Sequence, residues 1–405
     1  MLTMKILHII PSVNPKIGGP IQGIRNYQND LVDLGVQRDL VTFENPEDIK
    51  LWQFPESLKL IGLGKSQTGL QYNKNLIPWL KINMHNYDFI IINGIWSYHS
   101  HATLKTLKWL KTHKSESVLP KVFVMTHGML DPWFQKDKSR RLKALRNFFY
   151  WHVIEKNVIN NADGLFFTCE EELLLARTTF RGYRPNQEIN IGYGIEAPPA
   201  PSEVMKNPFH EKCTMDPKEP YLLFLSRINF KKGLDLLLKA YQQLVNEPDF
   251  SSKLPSLIIA GPGIETEYGQ KLLDYIEENP KVKEKVHFVG HLSGGAKWGA
   301  IYECEAFILP SHQENFGIAV AEALACCKPV IITNKVNIYR EIENGDGGIV
   351  DDDTLEGTVA NLKKWICLNS VSKVKMGQDA FKVYQNHFDS KSAAERLVAI
   401  LKSQK

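Results

Sequence analysis

The sequence predicts an α/β protein of two doubly wound domains, and three observations predict it. Short, nearly continuous apolar runs alternate with longer amphipathic ones along the chain. One proline-rich stretch near the middle interrupts that alternation. The 405 residues leave room for two domains of about 200 residues, each large enough to bury its own core.

The apolar runs come in order as MKILHII (4–10), DFIIING (88–94), KVFVMTH (121–127), GLFFTC (164–169), EINIGYG (188–194), YLLFLS (221–226), SLIIAG (256–261), KVHFVG (285–290), AFILPS (306–311) and PVIITN (329–334). They are rich in β-branched residues and end on Gly, Pro or polar residues, the pattern of parallel strands buried on both faces. Helical stretches at 20–34, 140–160, 232–246, 264–278, 316–327 and 390–403 separate many of them, and such alternation gives doubly wound sheets. Residues 197–220 carry six prolines and no clear periodicity, which marks an interdomain connection. The expected division is a first domain over 1–200, a linker over 201–217 and a second domain over 218–385. The helix over 386–405 is expected to cross back to the first domain. Two such domains facing each other enclose a cleft lined by the carboxyl ends of both sheets, where ligands of these sheets bind.

Composition excludes several classes. Hydrophobic residues make up 43% and charged residues 23% of the chain, an ordinary globular balance that excludes disordered, collagen-like and coiled-coil chains. The formal net charge of +4 does not suggest a dedicated nucleic-acid binder. The six cysteines form no C-x-x-C pair and no zinc spacing, so a reducing cytoplasm is the default. Cys326 and Cys327 are adjacent inside an apolar helical run and are expected to pack as buried thiols. The apolar run Ile6–Ile10 stops at Pro11, too short for a membrane span or a signal peptide.

The chemistry concentrates in the second half. In AFILPSHQENFGIAVAEALACC (306–327) a strand runs into a polar loop and a helix opens near Phe316–Gly317. The unpaired N–H groups and dipole of that opening suit a phosphate or sugar oxygen, and Gly317 admits a ligand close to the backbone. Glu314 precedes the helix, and Glu322 lies roughly 7–8 Å farther along the axis at 1.5 Å per residue from Gly317. Carboxylates suit vicinal sugar hydroxyls because they only accept hydrogen bonds. A solvated glutamate pair beside an ordinary βα unit is the competing account. After the second domain's first strand, SRINFKKGLD (226–235) sets Arg227 and Lys232 around a turn. Arg as a bidentate fork and Lys as a point charge can clamp a diphosphate.

Taken together, S-R-x-x-x-x-K-G (226–233), A-G-x-G (260–263), V-x-F-x-G (286–290) and P-S-x-x-E-x-F-G-x-x-x-x-E-A-x-A (310–325) resemble the second domain of retaining, GT-B-fold glycosyltransferases of family four, the glycosyl transferases group 1. The first domain agrees, with Ile10–Pro11, the Gly18–Gly19–Pro20 turn and Thr126–His127–Gly128 at a strand end. The resemblance runs from residue 4 to about 400. It implies a GT-B fold of two Rossmann-like domains. It implies that Arg227 and Lys232 hold the diphosphate of a nucleotide sugar and stabilise the departing charge. Glu314 would bind donor-sugar hydroxyls, with the amides of Asn315, Phe316 and Gly317 nearby, and Glu322 the ribose. Gly290, His291 and Leu292 would meet the base, largely by backbone. Gly261 and Gly263 would line the nucleotide, Gly19 would lie over phosphates or acceptor, and His127 would face the reacting sugar. Two departures stand out: Gly192–Tyr193–Gly194–Ile195–Glu196 replaces the usual P-N-G-[IV]-D, and Ser226 stands where Gly is usual.

The implied activity is metal-independent, retaining transfer of a hexose, with glucose the best guess, from a UDP-sugar to a polysaccharide or lipid-linked glycan. No cofactor is implied beyond the donor, UDP-glucose or another UDP-hexose, and no nucleic-acid partner. A UDP-sugar epimerase of the same fold and a catalytically silent nucleotide-sugar binder are the alternatives. Gly261-Pro262-Gly263 is half a dinucleotide fingerprint, but Thr266 stands at the expected third glycine. Asp351–Asp353 reads as a solvated charge run rather than a metal cluster. His99 and His101 read as helix-start residues before acceptor contacts, and Asp131 as an N-cap or an acceptor-side base. The basic, then aromatic, stretch over 136–156 either makes a weak contact with an anionic membrane or is a surface helix with its aromatics in the core. Localisation is expected to be cytoplasmic, peripheral at the inner membrane face if that contact forms.

Overall fold

A computed structural model describes residues 4–14, 18–67, 69–113, 118–213, 215–216 and 219–405. The chain divides into two units, Met1–Glu196 with Ser390–Lys405, and Ala197–Asp389.

The first unit holds a seven-stranded sheet of β1 (Met4–Ile9), β2 (Val36–Thr42), β3 (Leu58–Gly62), β4 (Phe89–Asn93), β5 (Lys121–Met125), β6 (Gly164–Phe167) and β7 (Glu188–Asn190). The strand order is β3-β2-β1-β4-β5-β6-β7, and every pairing is parallel. The chain reverses its direction of travel across the sheet between β1 and β4, which places a crevice at their carboxyl ends. The core beneath is aliphatic and aromatic, with Leu7, Ile90, Ile92, Val124 and Phe167 all inaccessible to solvent.

The second unit holds β8 (Tyr221–Leu225), β9 (Ser256–Ala260), β10 (Val286–Gly290), β11 (Ala306–Leu309), β12 (Val330–Thr333) and β13 (Gly348–Asp351). Their order is β10-β9-β8-β11-β12-β13, again all parallel. Here the reversal lies between β8 and β11, the two strands that lead into the Arg227–Lys232 and Glu314–Gly317 loops.

All ten expected strands form. Three others, β2, β3 and β13, were not evident in the sequence. β2 carries Arg38 and Asp39 in its interior, and both are buried. Arg38 donates to Gln28 Oε1 at 2.7 Å and to the Ile24 carbonyl at 2.6 Å, and Asp39 accepts from the Tyr87 hydroxyl at 2.8 Å. Such partners make a polar strand interior tolerable. β3 and β13 are sheet edges and need less apolar surface.

The division differs from the expected one. Most of the 201–217 stretch is no free linker, although 214 and 217 lie outside the described residues. Glu203–His210 is a helix that packs on the helix Gly294–Glu303 so closely that a Cβ on Gly299 would sit 2.3 Å from the Met205 carbonyl oxygen. His210 Nε2 adds a contact of 2.6 Å with Glu303. Tertiary packing rather than propensity holds this helix, which is why Pro208 within it hid it from the sequence. At the other end the second unit runs to Asp389, and the last helix, Ser390–Ser403, belongs to the first. Gly194 receives it: a Cβ there would lie 2.9 Å from the Ser390 Cα. Cys326 is buried, but Cys327 is exposed in a left-handed conformation after the helix Ile318–Ala325 has ended, so only the first is a packed thiol.

Candidate active site

In the second unit three loops at the carboxyl ends of β8, β9 and β11 are laced together by backbone. The Ser226 N–H donates to the Ala260 carbonyl at 3.0 Å and the Ile228 N–H to the Pro262 carbonyl at 2.8 Å. A Cβ on Gly261 would lie 1.9 Å from the Ser226 carbonyl oxygen, and one on Gly263 would lie 2.5 Å from that of Ile228. Both glycines have positive φ, so close approach and conformation together require glycine. Their first service is to seat the Arg227 loop.

The β8 and β11 loops meet in the same way. Residues Phe230–Lys232 form one 3₁₀ turn, started by the Asn229 side chain accepting the Lys231 N–H. Gly233 follows at φ 66, where a Cβ would collide with the Pro310 carbonyl oxygen at 1.8 Å. The His312 N–H donates to the Lys231 carbonyl at 2.8 Å. This lacing carries Lys232 to Glu314, and the two form an ion pair. Glu314 is also fixed along its backbone, its N–H donating to the Lys335 carbonyl and its carbonyl accepting the Asn337 N–H, each at 2.9 Å. Burial pushes the Glu314 carboxyl up, but the charges of Lys232, Lys231 and Arg227 outweigh it and hold the group below the usual carboxylate range. Arg227 itself is exposed.

Gly317, at φ 79, opens the helix Ile318–Ala325, and no side chain caps it. The orphan N–H groups of that first turn therefore point to an anion site, beside two cations and a carboxylate. Phe316 is buried and meets Phe388 edge-to-face at 5.4 Å, so only its backbone can serve a ligand. Glu322 pairs with Lys297 at 2.8 Å, and the Lys297 ammonium lies 3.9 Å from the centre of the Trp298 ring. Past β10, Gly290 has open space over its Cα. His291 is exposed while Leu292 is buried, and the His291 carbonyl accepts from Lys212 Nζ at 3.0 Å.

Below Glu314 lies a second polar group. His312 Nδ1 meets Asp353 at 2.6 Å, and its Nε2 lies 3.6 Å from Asp235. The Phe230 ring covers it at 4.7 Å. Burial alone would lower this imidazole's pKa, but hydrogen bonding and charge from Asp235 and Asp353 prevail and raise it to about 9.

In the first unit the helix Gly19–Asn26 follows β1. Tyr193 buttresses it, with its hydroxyl donating to the Gly19 carbonyl at 2.5 Å and its ring lying where a Cβ on Gly23 would fall. That gives the unusual Gly192–Tyr193–Gly194 segment a definite structural part. His127 sits after β5 at φ 49. Buried Glu172 anchors its turn, accepting the Gly128 N–H at 2.5 Å and the Thr126 hydroxyl at 2.7 Å. His127 Nε2 lies 3.2 Å from Asn93 Oδ1, and Asn93 Nδ2 lies 3.2 Å from His8 Nδ1. Burial lowers the His127 pKa to about 4, so the ring is neutral at pH 7. A cavity of about 180 Å³ opens beside this group, lined by Ile10, Pro11, Gly18, Asn93, His99 and Met129.

Residues 205–383 match the family model described as glycosyl transferases group 1. That match covers most of the second unit, Ala197–Asp389. An uncharacterised glycosyltransferase of Methanocaldococcus jannaschii is 26% identical over 200 residues, covering 49% of this chain and 45% of the relative. The glycogen synthase of Mycobacterium tuberculosis is 26% identical over 198 residues, covering 49% and 44%. The chain thus spans about half the length of the curated relatives it matches. Among solved structures, sucrose-phosphate synthase from Thermosynechococcus elongatus superposes with a TM-score of 0.72 at 17% identity, covering 99% of each chain. Anabaena HepE in complex with UDP-glucose superposes at 0.71 with 17% identity, covering 99% of this chain and 100% of the other. The fold is that of the GT-B glycosyltransferases.

Within the second unit, Arg227, Lys232, Glu314, Gly317, Gly261 and Gly263 come together at the sheet's reversal point. Lys297 and His312 escaped the sequence reading because their partners lie on other elements. Lys297 sits 25 residues before Glu322 with no motif to mark it. Asp351–Asp353 is not a solvated run: Asp351 pairs with Lys364, Asp352 accepts from Asn334 at 2.5 Å, and Asp353 holds His312. His99 is a core residue, its Nε2 3.0 Å from the Asn93 carbonyl. Asp131 is buried, and its Oδ1 accepts the Trp133 N–H at 2.8 Å, the local capping geometry of its two readings.

Proposed function

We propose that the protein is a retaining glycosyltransferase that moves a hexose, glucose in the first instance, from a UDP-sugar to a hydroxyl of a polysaccharide or lipid-linked glycan. The observation that carries this reading is the grouping of Arg227 and the Lys232–Glu314 pair beside the uncapped helix start at Gly317. An ammonium has three donors, so Lys232 can keep Glu314 and still reach a phosphate oxygen. Arg227 supplies the fork on the same diphosphate. Glu314 then meets donor hydroxyls from a position the lysine fixes, and the Asn315–Gly317 amides complete the cradle. Glu322 meets the ribose, with Lys297 holding its carboxylate in place. Gly290, His291 and Leu292 offer backbone groups to the base. In the first unit, neutral His127 and the Gly19 turn serve the substrate end of the same reaction.

In this mechanism the departing β-phosphate takes the proton of the attacking hydroxyl on the same face of the sugar. The enzyme supplies position and charge stabilisation, and no metal is required because Arg227, Lys232 and the helix start carry that charge. The protein acts in the cytoplasm, on an acceptor at the inner face of a membrane.

A thermal-shift screen against UDP-, GDP- and ADP-sugars tests the donor. A ligand at 100 times its Kd adds about 2.7 kcal/mol of stability, so the melting point should rise with UDP-hexoses and not with the others. Product analysis with and without acceptor then separates the readings. Glycosylated acceptor supports transfer, an epimerised UDP-sugar formed without acceptor replaces it with epimerisation, and binding with no product over any acceptor leaves a silent binder.

A further inference from the structure

The stretch over 136–156 is helical and mostly exposed. Between Lys136 and Tyr150 it carries six cations and the single carboxylate of Asp137, whose oxygen is engaged by the Ser139 N–H at 3.0 Å. The chain folds as the helix Arg141–Tyr150 continued by a π-helical turn, Trp151–Glu155. Only one of its aromatics is fully in the core: Trp151, stacked on Phe180 at 4.7 Å. Tyr150 is half-buried, edge-on to Trp96 at 6.3 Å, whereas Phe148, Phe149 and several aliphatic side chains face outward. Leu142 is 86% exposed, Leu145 55%, Phe148 50%, Phe149 60% and Val153 72%.

Leu142, Leu145, Phe149 and Val153 recur at intervals of three and four, so they form one stripe along the helix. Exposed Arg141, Lys143 and Arg146 lie among them. Other exposed apolar side chains among the described residues, such as Leu51, Ile82 and Val371, are scattered, which is ordinary for a protein surface. Beside the stripe runs a groove of about 640 Å³ whose walls include Leu145, Phe148 and Phe180 together with Arg141 and Arg181. Apolar side chains at the crest, guanidinium groups next to them and almost no acid are complementary to the acyl and phosphate layers of an anionic bilayer. A partner protein with an acidic rim would meet the cations equally well. A bilayer also accounts for the exposed apolar crest itself, which an acidic partner surface would leave in water.

We propose that this face is a monotopic docking surface for anionic phospholipid, with the Arg141–Arg181 groove receiving a phosphate headgroup. It rests on the reading of a membrane-borne acceptor, so its test uses vesicles that contain no glycan and no nucleotide. The full chain should float with phosphatidylcholine vesicles containing one third phosphatidylglycerol, should not float with phosphatidylcholine alone, and should be released by high salt. Replacing Arg141 or Lys143 by Gln should weaken binding about fivefold each. The triple change Leu142→Ser, Phe149→Ser and Val153→Ser should abolish it, with an unaltered circular dichroism melt showing that the fold survives. Flotation without any response to UDP would leave this surface standing and remove the donor assignment. Absence of anionic-lipid binding, a triple variant that floats like wild type, or a salt-insensitive dimer that the triple variant dissociates would overturn the proposal.

Discussion

Arg227 and Lys232 follow the same strand, β8, in different states. Arg227 is exposed, whereas Lys232 is largely covered and already committed to Glu314. Replacing Arg227 by Ala removes a charge without disturbing the loop. Replacing Lys232 also strips Glu314 of its first counter-charge, so the carboxyl's pKa should rise toward or above the ordinary range. Each change is expected to lower kcat by a factor on the order of 10²–10³, the usual consequence of removing a charge stabiliser. Only the Lys232 variant should show an added acid limb in the pH–rate profile from Glu314. Initial-rate measurements of UDP release over pH 4–9 would show both effects, and near-normal turnover in both variants contradicts the assigned roles. These two residues were legible in the sequence because each sits within a few residues of a strand end, where local spacing fixes position. Lys297 was not, since its pairing with Glu322 exists only once two helices are packed.

At the level of loops and turns, the β11 loop is held from below by His312. Its backbone N–H ties Lys231, and its ring joins Asp353, next to β13, to Asp235 at the start of the helix Leu234–Val245. The motif around Glu314 was legible as a strand–loop–helix. This keystone was not, because Asp235 and Asp353 lie far from His312 in sequence, and the run Asp351–Asp353 looked like a solvated cluster. The folded pKa of about 9 stands above the ordinary imidazole value of 6.5. The stability that His312 contributes is therefore fully present below pH 6.5 and is lost as pH rises through about 9. His312→Gln keeps a donor toward Asp353 but carries no charge. Its melting temperature should lie several degrees under wild type at pH 6, at roughly 2–4 °C per kcal/mol for a domain of this size, and the gap should close by pH 10. Thermal denaturation of both proteins at the two pH values provides the check, and a gap that does not change with pH would place the histidine's contribution in packing alone.

At the scale of the whole molecule, the first unit carries the buried histidines that make its folding sensitive to acid. The doubly wound pattern of both units was legible because buried parallel strands leave continuous apolar runs. The polar residues inside the first unit left no such trace, and they set its pH behaviour. His8, His99 and His127 all have lowered pKa values, burial being the largest cause in each, with His99 and His127 near 4. Below pH 6.5 the unfolded chain binds protons that these folded sites refuse, so stability falls as pH drops from 6.5 toward 4. Glu155 acts in the other direction. Burial raises its carboxyl to about 7 against the ordinary 4.5, so the folded unit gains a proton, and stability, as pH falls through that window. These three histidines, with half-buried His101 lowered in the same direction by burial, outnumber the one carboxyl and leave a net loss for the first unit. Six of the eight tryptophans, at 52, 79, 96, 109, 133 and 151, lie in the first unit, so tryptophan fluorescence reports mainly on its unfolding. The fluorescence-detected midpoint should fall between pH 7.5 and pH 5, and His99→Gln should reduce that fall by removing one of the refused protons. A fall that His99→Gln leaves unchanged would mean that these histidines accept protons in the folded state, and the neutral His127 assigned to the substrate would have to be given up with them.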